Sequence, residues 1–130
     1  MIAVDTNIVV RLIVADDAEQ LSTILNLMSE AHLFVPLTVL LETEWVLRSR
    51  YRYGRERVGA ALANLVDLEG VTVEQPALAA WAIDQHRKGS DLADAIHLVA
   101  ARDAESFATF DRELARSAGD SPPLPVETLG

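Results

Sequence analysis

Apolar and polar positions alternate along the chain in two patterns, one typical of strands and one typical of helices. The short apolar runs lie at 2–4, 32–35, 71–73 and 107–110. Their length and two-sided apolar character are those of buried parallel strands. Longer segments carry apolar residues three or four positions apart, which is typical of helices with one buried face. These segments are 7–14, 17–30, 37–50, 55–68, 76–88, 90–103 and 112–117.

Strands that alternate with helices predict an α/β fold built on a short parallel sheet. Because helices outnumber strands, we expect a three-layer α/β/α sandwich with a helical excursion between residues 36 and 70. The chain has 130 residues, a length typical of one domain with a sizeable core. We therefore predict a single domain over 1–130, in which residues 119–130 form a loop with an edge strand at 125–127.

Composition narrows the class of protein. Half of the residues are hydrophobic and 24% are charged, which excludes an intrinsically disordered chain. Cysteine is absent, so disulfides, thiolate metal sites and cysteine nucleophiles are excluded. No apolar run reaches the roughly 18 residues of a membrane span, and the first residues lack the basic leader of a signal peptide. We expect a soluble cytoplasmic protein that does not associate with membranes.

Acidic residues outnumber basic residues in this chain. Eleven Lys and Arg residues stand against twenty Asp and Glu residues, which gives a formal net charge of −9. This balance argues against a protein that wraps nucleic acid non-specifically, since such binding needs a positive surface. It is compatible with a nucleic-acid enzyme whose carboxylates hold metal ions.

Two acids directly follow predicted strands. Asp5 comes after the run at 2–4, and Asp111 comes after the run at 107–110. Ligands of open α/β sheets bind at the carboxyl ends of strands, and aspartate itself has a low preference for strands. Both positions therefore indicate a functional role. For the helix that comes next after Asp5, we expect Thr6 or Asn7 as the cap.

Three further acids lie on predicted helices. Asp91 and Asp94 share one face at the first turn of a helix, where acids also serve as ordinary caps. A cap explains Asp91 as well as a functional role does. Asp94 precedes an almost wholly apolar helix, and a buried carboxylate needs a cation or hydrogen-bond donors. Glu42 lies on another largely apolar helix together with Glu44, and one of these two acids must lie near the apolar flank, either as a site residue or as a rim residue with a solvated carboxylate.

Taken together, these acids offer oxygen ligands only. Clustered carboxylates repel one another and raise each other's pKa unless a cation lies among them. Oxygen ligands without thiolates favour Mg²⁺ or Mn²⁺, and such ions polarise a phosphoryl oxygen and activate water. The pattern predicts hydrolysis of a phosphodiester or transfer of a phosphoryl group.

Four segments resemble, in order, the motifs of the PIN-domain family, and within it those of the VapC-type toxins of bacterial toxin–antitoxin systems. They are VDTN at 4–7, LETEWVLR at 41–48, DLADAIH at 91–97 and TFDR at 109–112. The resemblance implies a PIN-like α/β/α fold and a metal-dependent endoribonuclease. It implies an acidic catalytic site that binds Mg²⁺ or Mn²⁺ through Asp5, Glu42, Asp94 and Asp111, with Asp91 as an accessory acid. Positions that support the carboxylates in the family correspond here to Thr6, Asn7 and Thr109.

The resemblance also implies partners. They are an RNA substrate, a cognate antitoxin that places a basic side chain in the acidic site, and a second copy of the chain in a homodimer. An acidic site attracts such a basic side chain by ordinary electrostatics.

The basic residues are concentrated in one segment, residues 48–57, which contains five arginines, two tyrosines and a single acid. Arginine forks onto phosphate, and tyrosine stacks on unpaired bases. The segment therefore predicts contacts with RNA from Arg48, Arg50, Tyr51, Arg52, Tyr53 and Arg55. It is equally compatible with a solvated helix end whose cations complement the helix dipole, or with a surface for a partner or another subunit.

Two other functions stay open at this point. The segments 5–7 and 88–94 resemble parts of a haloacid-dehalogenase-type phosphatase, although Asn7 replaces the second acid of that family's pair. A non-catalytic module that binds a basic partner through its acids is the second alternative. We expect a packed position with satisfied hydrogen bonds for His97, and packing in the core or in an interface for Trp45 and Trp81.

Overall fold

Seven helices and five short strands make up the chain, and the computed structural model describes all of residues 1–130. These elements divide between two units, Met1–Pro76 and Ala77–Gly130. The first unit contains β1 (Ile2–Ala3), α1 (Thr6–Val14), α2 (Ala18–Glu30), β2 (Leu33–Val35), α3 (Leu37–Ser49), α4 (Arg55–Asp67) and β3 (Val71–Val73). The second begins with α5 (Pro76–Arg87), which starts at the boundary, and contains α6 (Leu92–Ala100), β4 (Phe107–Thr109), α7 (Arg112–Ser117) and β5 (Val126–Thr128).

The first unit is built on a parallel three-stranded sheet in the order β1-β2-β3. Leu33 of the central strand pairs with Ile2 on one side and with Val71 on the other. Parallel neighbours need long crossover connections, and the helix pairs α1–α2 and α3–α4 supply them here. Most apolar residues of β2 and β3 are buried, as is typical of parallel strands.

Aspartates explain where the first two helices begin. The Asp5 carboxylate accepts a hydrogen bond from the Ile8 amide at 3.2 Å and caps α1. Asp17 caps α2 in the same way, through an amide three residues on at 3.0 Å. The expectation that Thr6 or Asn7 caps α1 is wrong, because both lie inside the helix. An aspartate just before a helix reaches the free amides of its first turn, and this sets the boundary one residue earlier.

The second unit pairs β4 with β5 in parallel, with Phe107 opposite Val126. The short helix α7 lies in the connection between these strands. The core of this unit is formed by side chains from α6, α7 and the C-terminal segment, namely Leu98, Leu114, Ala118 and Leu124. The partly buried side chain of Trp81, on α5, packs against this core.

The predicted α/β class with short parallel strands is confirmed. The expected edge strand at 125–127 is present as β5, one residue further along and paired with β4. The single domain over residues 1–130 stays a prediction. None of the seven helices combines the length and the apolar character needed to cross a membrane.

Candidate active site

Asp5 and Glu42, far apart in the sequence, line one cleft in the first unit. Asp5 follows β1 at the carboxyl end of the sheet, and Glu42 lies on α3. Helix α1, which begins directly after Asp5, packs against α3 and so brings the two carboxylates to the same cleft. We call it the α1–α3 cleft. It has a volume of about 260 Å³, and its other lining residues are Thr6, Asn7, Trp45, Val46 and Arg50.

Groups of α1 hold both carboxylates. Oδ1 of Asp5 accepts the hydrogen bond from the Ile8 amide that begins α1, and Oδ2 has no hydrogen-bond partner in the chain. The buried hydroxyl of Thr6 donates a hydrogen bond to Oε1 of Glu42. Asp5 therefore keeps one oxygen free for a ligand, and Thr6 restricts how the Glu42 carboxylate can turn.

The neighbouring acid of α3, Glu44, does not line this cleft. Only 7% of its surface is exposed, and its carboxylate accepts a hydrogen bond from Nε of Arg48 at 2.8 Å. A buried charge needs such a partner. The helix thus gives two nearby acids different environments: Glu42 faces the cleft, and Glu44 is neutralised by Arg48.

Three candidate acids lie in the second unit, where α6 and α7 begin. Oδ1 of Asp91 caps α6 through the Ala93 amide at 2.7 Å, and Oδ1 of Asp111 caps α7 through the Glu113 amide at 2.9 Å. Asp94 lies in the first turn of α6 and is partly buried. Capping and ligand binding are therefore not exclusive at Asp91 and Asp111, since each cap uses only one oxygen.

The acids of the second unit act on one another electrostatically. Burial raises the pKa of the Asp94 carboxyl, and the charges of Asp91 and Asp111 raise it further, whereas His97 opposes the shift. A cation among these carboxylates would relieve their repulsion. His97 is exposed, so the expectation of a packed histidine is wrong. The buried face of α6 is instead formed by its apolar residues.

The three polar residues expected to support the carboxylates differ in what they contact. Thr6 contacts the carboxylate of Glu42. Oγ1 of Thr109 accepts a hydrogen bond from the backbone amide of Asp111 at 2.9 Å, so it orders the turn after β4 rather than the carboxylate itself. Asn7 lines the α1–α3 cleft.

The candidate ligands fit a hard divalent cation in their chemistry. No group of three or more histidine, aspartate or glutamate side chains is arranged as a metal cluster in the structure. All candidate donors are carboxylate oxygens, Asp5 keeps Oδ2 free, and burial together with the charges of Asp91 and Asp111 raises the pKa of Asp94. Carboxylate oxygens are the ligands that Mg²⁺ and Mn²⁺ prefer, so both sets of acids are suited to such an ion.

The basic segment 48–57 divides by what its side chains contact. Arg48 forms the ion pair with the buried acid of α3. The guanidinium of Arg57 lies 3.7 Å from the centre of the Tyr53 ring, and the Tyr51 hydroxyl accepts a hydrogen bond from an arginine of α1 at 2.8 Å. Of the six residues predicted to contact RNA, Arg50 is the one that lines the α1–α3 cleft.

Sequence reasoning missed Trp45 as a cleft residue. Its side chain is 50% exposed and lines the α1–α3 cleft, so Trp45 is not a core residue, and its packing in an interface stays a prediction. Trp81, by contrast, packs against the core of the second unit. Helical spacing was the available signal: Trp45 lies three residues after Glu42 and therefore on the same face of α3. Val46 and Arg50 continue that face along the cleft.

Comparison with protein families matches residues 2–120 to the PIN domain. The match spans nearly the whole chain and includes every candidate acid. No curated protein and no solved structure matches the chain significantly. PIN domains are in general nucleases that use divalent metal ions, and the helices and short parallel strands agree with a PIN-like α/β fold. The chain therefore belongs to the PIN domain family.

Proposed function

We propose that this chain is a metal-dependent endoribonuclease of the VapC type, the toxin of a toxin–antitoxin pair that acts in the cytoplasm. The observation that supports this most is the α1–α3 cleft, where Asp5 and Glu42 lie beside Thr6 and Asn7. These residues belong to two of the segments that resemble the toxin motifs. Membership of the PIN domain family supports a nuclease, and the four motifs support the finer assignment.

The proposal gives each acid a part in metal binding. The ligands are Asp5 and Glu42 in the first unit and Asp94 and Asp111 in the second, with Asp91 as an accessory acid. When bound, Mg²⁺ or Mn²⁺ supplies Lewis-acid stabilisation of the negative charge that develops on the phosphoryl oxygens.

The chain itself contributes to the proposed reaction by holding the carboxylates of Asp5 and Glu42 in fixed positions. The Thr6 hydroxyl orients Glu42, and the helix cap orients Asp5. Because a misplacement of about 1 Å can lower a catalysed rate about 100-fold, these two hydrogen bonds serve the proposed reaction as well as the fold.

The purified chain, freed of any bound partner, tests the proposal directly. RNA is incubated with the native chain, with Asp5→Asn and with Asp17→Asn, in Mg²⁺ or in EDTA. Asp17→Asn is the matched control, because Asp17 caps α2 with the same geometry and does not line the α1–α3 cleft. The native chain and Asp17→Asn should cleave RNA in Mg²⁺ only, and Asp5→Asn should not cleave it. Metal-dependent cleavage by Asp5→Asn at the native rate would contradict the assignment.

The native chain and Asp5→Asn together identify the RNA substrate and distinguish the nuclease from the two alternative functions. Sequencing of RNA 5′ ends after brief expression, native against Asp5→Asn, locates the cleavage sites. A trapped aspartyl-phosphate on Asp5 without RNA cleavage would point to a phosphatase. Failure to hydrolyse any RNA with any metal would point to a module that only binds a partner.

Partners are part of the proposal: a cognate antitoxin, the RNA substrate and a second copy of the chain. The resemblance of the four motifs supports them, and a net charge of −9 favours association with a basic protein. Light scattering on the isolated chain, which distinguishes a monomer from a dimer, tests the homodimer.

A further inference from the structure

Two side chains of the α1–α3 cleft have no part in the proposed metal binding. Trp45 and Arg50 continue the Glu42 face of α3 and line the same cleft. The apolar residues Leu40 and Leu47 of this helix are completely buried, whereas Trp45 is half exposed. Its indole therefore offers a broad aromatic surface to a ligand that enters the cleft.

Arg50 is the arginine of the basic segment that lines the cleft, and its exposed guanidinium forms no ion pair. Arg48 is neutralised by Glu44, and Arg57 is stacked on Tyr53. An exposed guanidinium without a protein partner is free to form paired hydrogen bonds with a phosphate. The net charge of −9 and the two acids of the cleft repel an anionic ligand, so the guanidinium of Arg50 supplies the local positive charge that a phosphate needs there.

The size of the cleft and the chemistry of its lining favour an unpaired strand. The volume of about 260 Å³ lies just below the roughly 300–1,000 Å³ of common small-molecule pockets, a size that suits one base with its phosphate. Stacking on an indole needs an exposed face of a base, which bases inside a duplex do not offer.

We propose that Trp45 and Arg50 form a subsite for one unpaired nucleotide of the RNA substrate, with its base stacked on the indole and its phosphate held by the guanidinium. This inference rests on the proposed nuclease function, two of whose acids line the same cleft. The subsite holds the strand beside Asp5 and Glu42. Because stacking tolerates any base, the subsite selects unpaired RNA rather than a particular sequence.

Calorimetric titration of the Asp5→Asn chain with short single-stranded oligoribonucleotides of random sequence measures the subsite without cleavage. In that background Trp45→Leu should weaken binding about 5- to 150-fold, and Trp45→Phe should restore most of the affinity. Arg50→Gln should weaken binding and lower the slope of log K against log salt by about 0.7, which is one phosphate contact on a single strand. Arg87→Gln makes the same charge change at an exposed arginine of α5 and should alter neither quantity.

The outcomes separate this inference from the nuclease function. RNA cleavage by the native chain with unaltered RNA binding by Trp45→Leu would overturn the subsite and leave the nuclease function intact. Binding that depends on Trp45, without cleavage in any metal, would overturn the nuclease function and leave the subsite intact. Equal affinity for a duplex of the same sequence would overturn the subsite. The subsite would also be overturned if Trp45→Leu weakened the binding of a basic protein partner and left the affinity for RNA unchanged. If Trp45→Leu does not fold, judged by circular dichroism, Trp45→Phe and Arg50→Gln carry the same test.

Discussion

Replacing Asp5 separates its structural role from its proposed chemical role. Oδ1 of Asp5 accepts the hydrogen bond from the Ile8 amide at 3.2 Å that begins α1. The side-chain oxygen of asparagine can accept the same bond, and alanine cannot. Asparagine and aspartate are about equally good helix caps, and alanine in their place costs about 1 kcal/mol. We therefore expect Asp5→Ala to be about 1 kcal/mol less stable than Asp5→Asn.

The charge of Asp5 adds a second contribution that both variants lose. A carboxylate at a helix N-terminus stabilises the helix by about 0.3–1 kcal/mol, and repulsion from Glu42 in the same cleft works against this gain. Since both effects disappear in the asparagine and alanine variants alike, the difference between these variants measures the cap alone. In a chain of this size 1 kcal/mol corresponds to about 3–5 °C in melting temperature.

Thermal and urea unfolding in EDTA measure this stability, and cleavage of single-stranded RNA in Mg²⁺ measures activity. Both Asp5 variants should lose cleavage, and only the alanine variant should lose the stability of the cap. The same two substitutions at Asp17, whose cap distance is 3.0 Å, should show the same stability difference with cleavage unchanged. Equal stabilities of Asp5→Asn and Asp5→Ala would refute the cap. Cleavage by Asp5→Asn at the native rate would refute its place in the site.

Three further predictions concern the stability of the folded chain. Burial and neighbouring acids raise the pKa of Asp94 above its ordinary value of 3.8, so the native state binds this proton more tightly than the unfolded chain does. In EDTA its contribution to stability should therefore fall as the pH rises through 3.8 towards the raised value, and urea unfolding of Asp94→Asn across this range should not show that fall. Ala15 ends α1 at φ 55°, a left-handed conformation that costs a non-glycine residue about 1 kcal/mol. Ala15→Gly should therefore raise the melting temperature of the chain, and a lower melting temperature would contradict this prediction. Arg48→Ala leaves the buried Glu44 carboxylate without its ion pair and should lower the free energy of unfolding in urea by more than about 1 kcal/mol. As a control, Arg116→Ala removes an exposed ion pair and should lower this free energy by less than that. Equal losses of stability in the two variants would be inconsistent with this reasoning.

Element bounds are predictable where the sequence contains strong breakers. Pro36, Gly54 and Gly89 interrupt the apolar periodicity, and a helix begins or ends within two residues of each. The VTV run at 71–73 is β3 without a change of boundary. These features depend on local backbone chemistry, so the sequence near each position is sufficient to predict them.

The environments of the acids are harder to predict from the sequence. They depend on which carboxylate oxygen accepts a hydrogen bond and on which side chain pairs with the carboxylate. A carboxylate has two oxygens, so Asp5 and Asp91 can cap a helix with one and keep the other for a ligand. Periodicity does not separate Glu42 from Glu44 on a helix that is apolar over most of its surface. The ion pair with Arg48, one turn away, accounts for the buried acid, and the packing of α1 against α3 accounts for the acid in the cleft.

The two tryptophans of the chain are divided between its units, with Trp45 on α3 in the first and Trp81 on α5 in the second. A Trp81→Phe chain therefore reports the first unit through its fluorescence emission, and a Trp45→Phe chain reports the second. Coincident emission changes in urea are the signature of one cooperative domain, and separate changes are the signature of two. Each half of the protein thus contains its own optical label, and its cooperativity can be measured without an added dye.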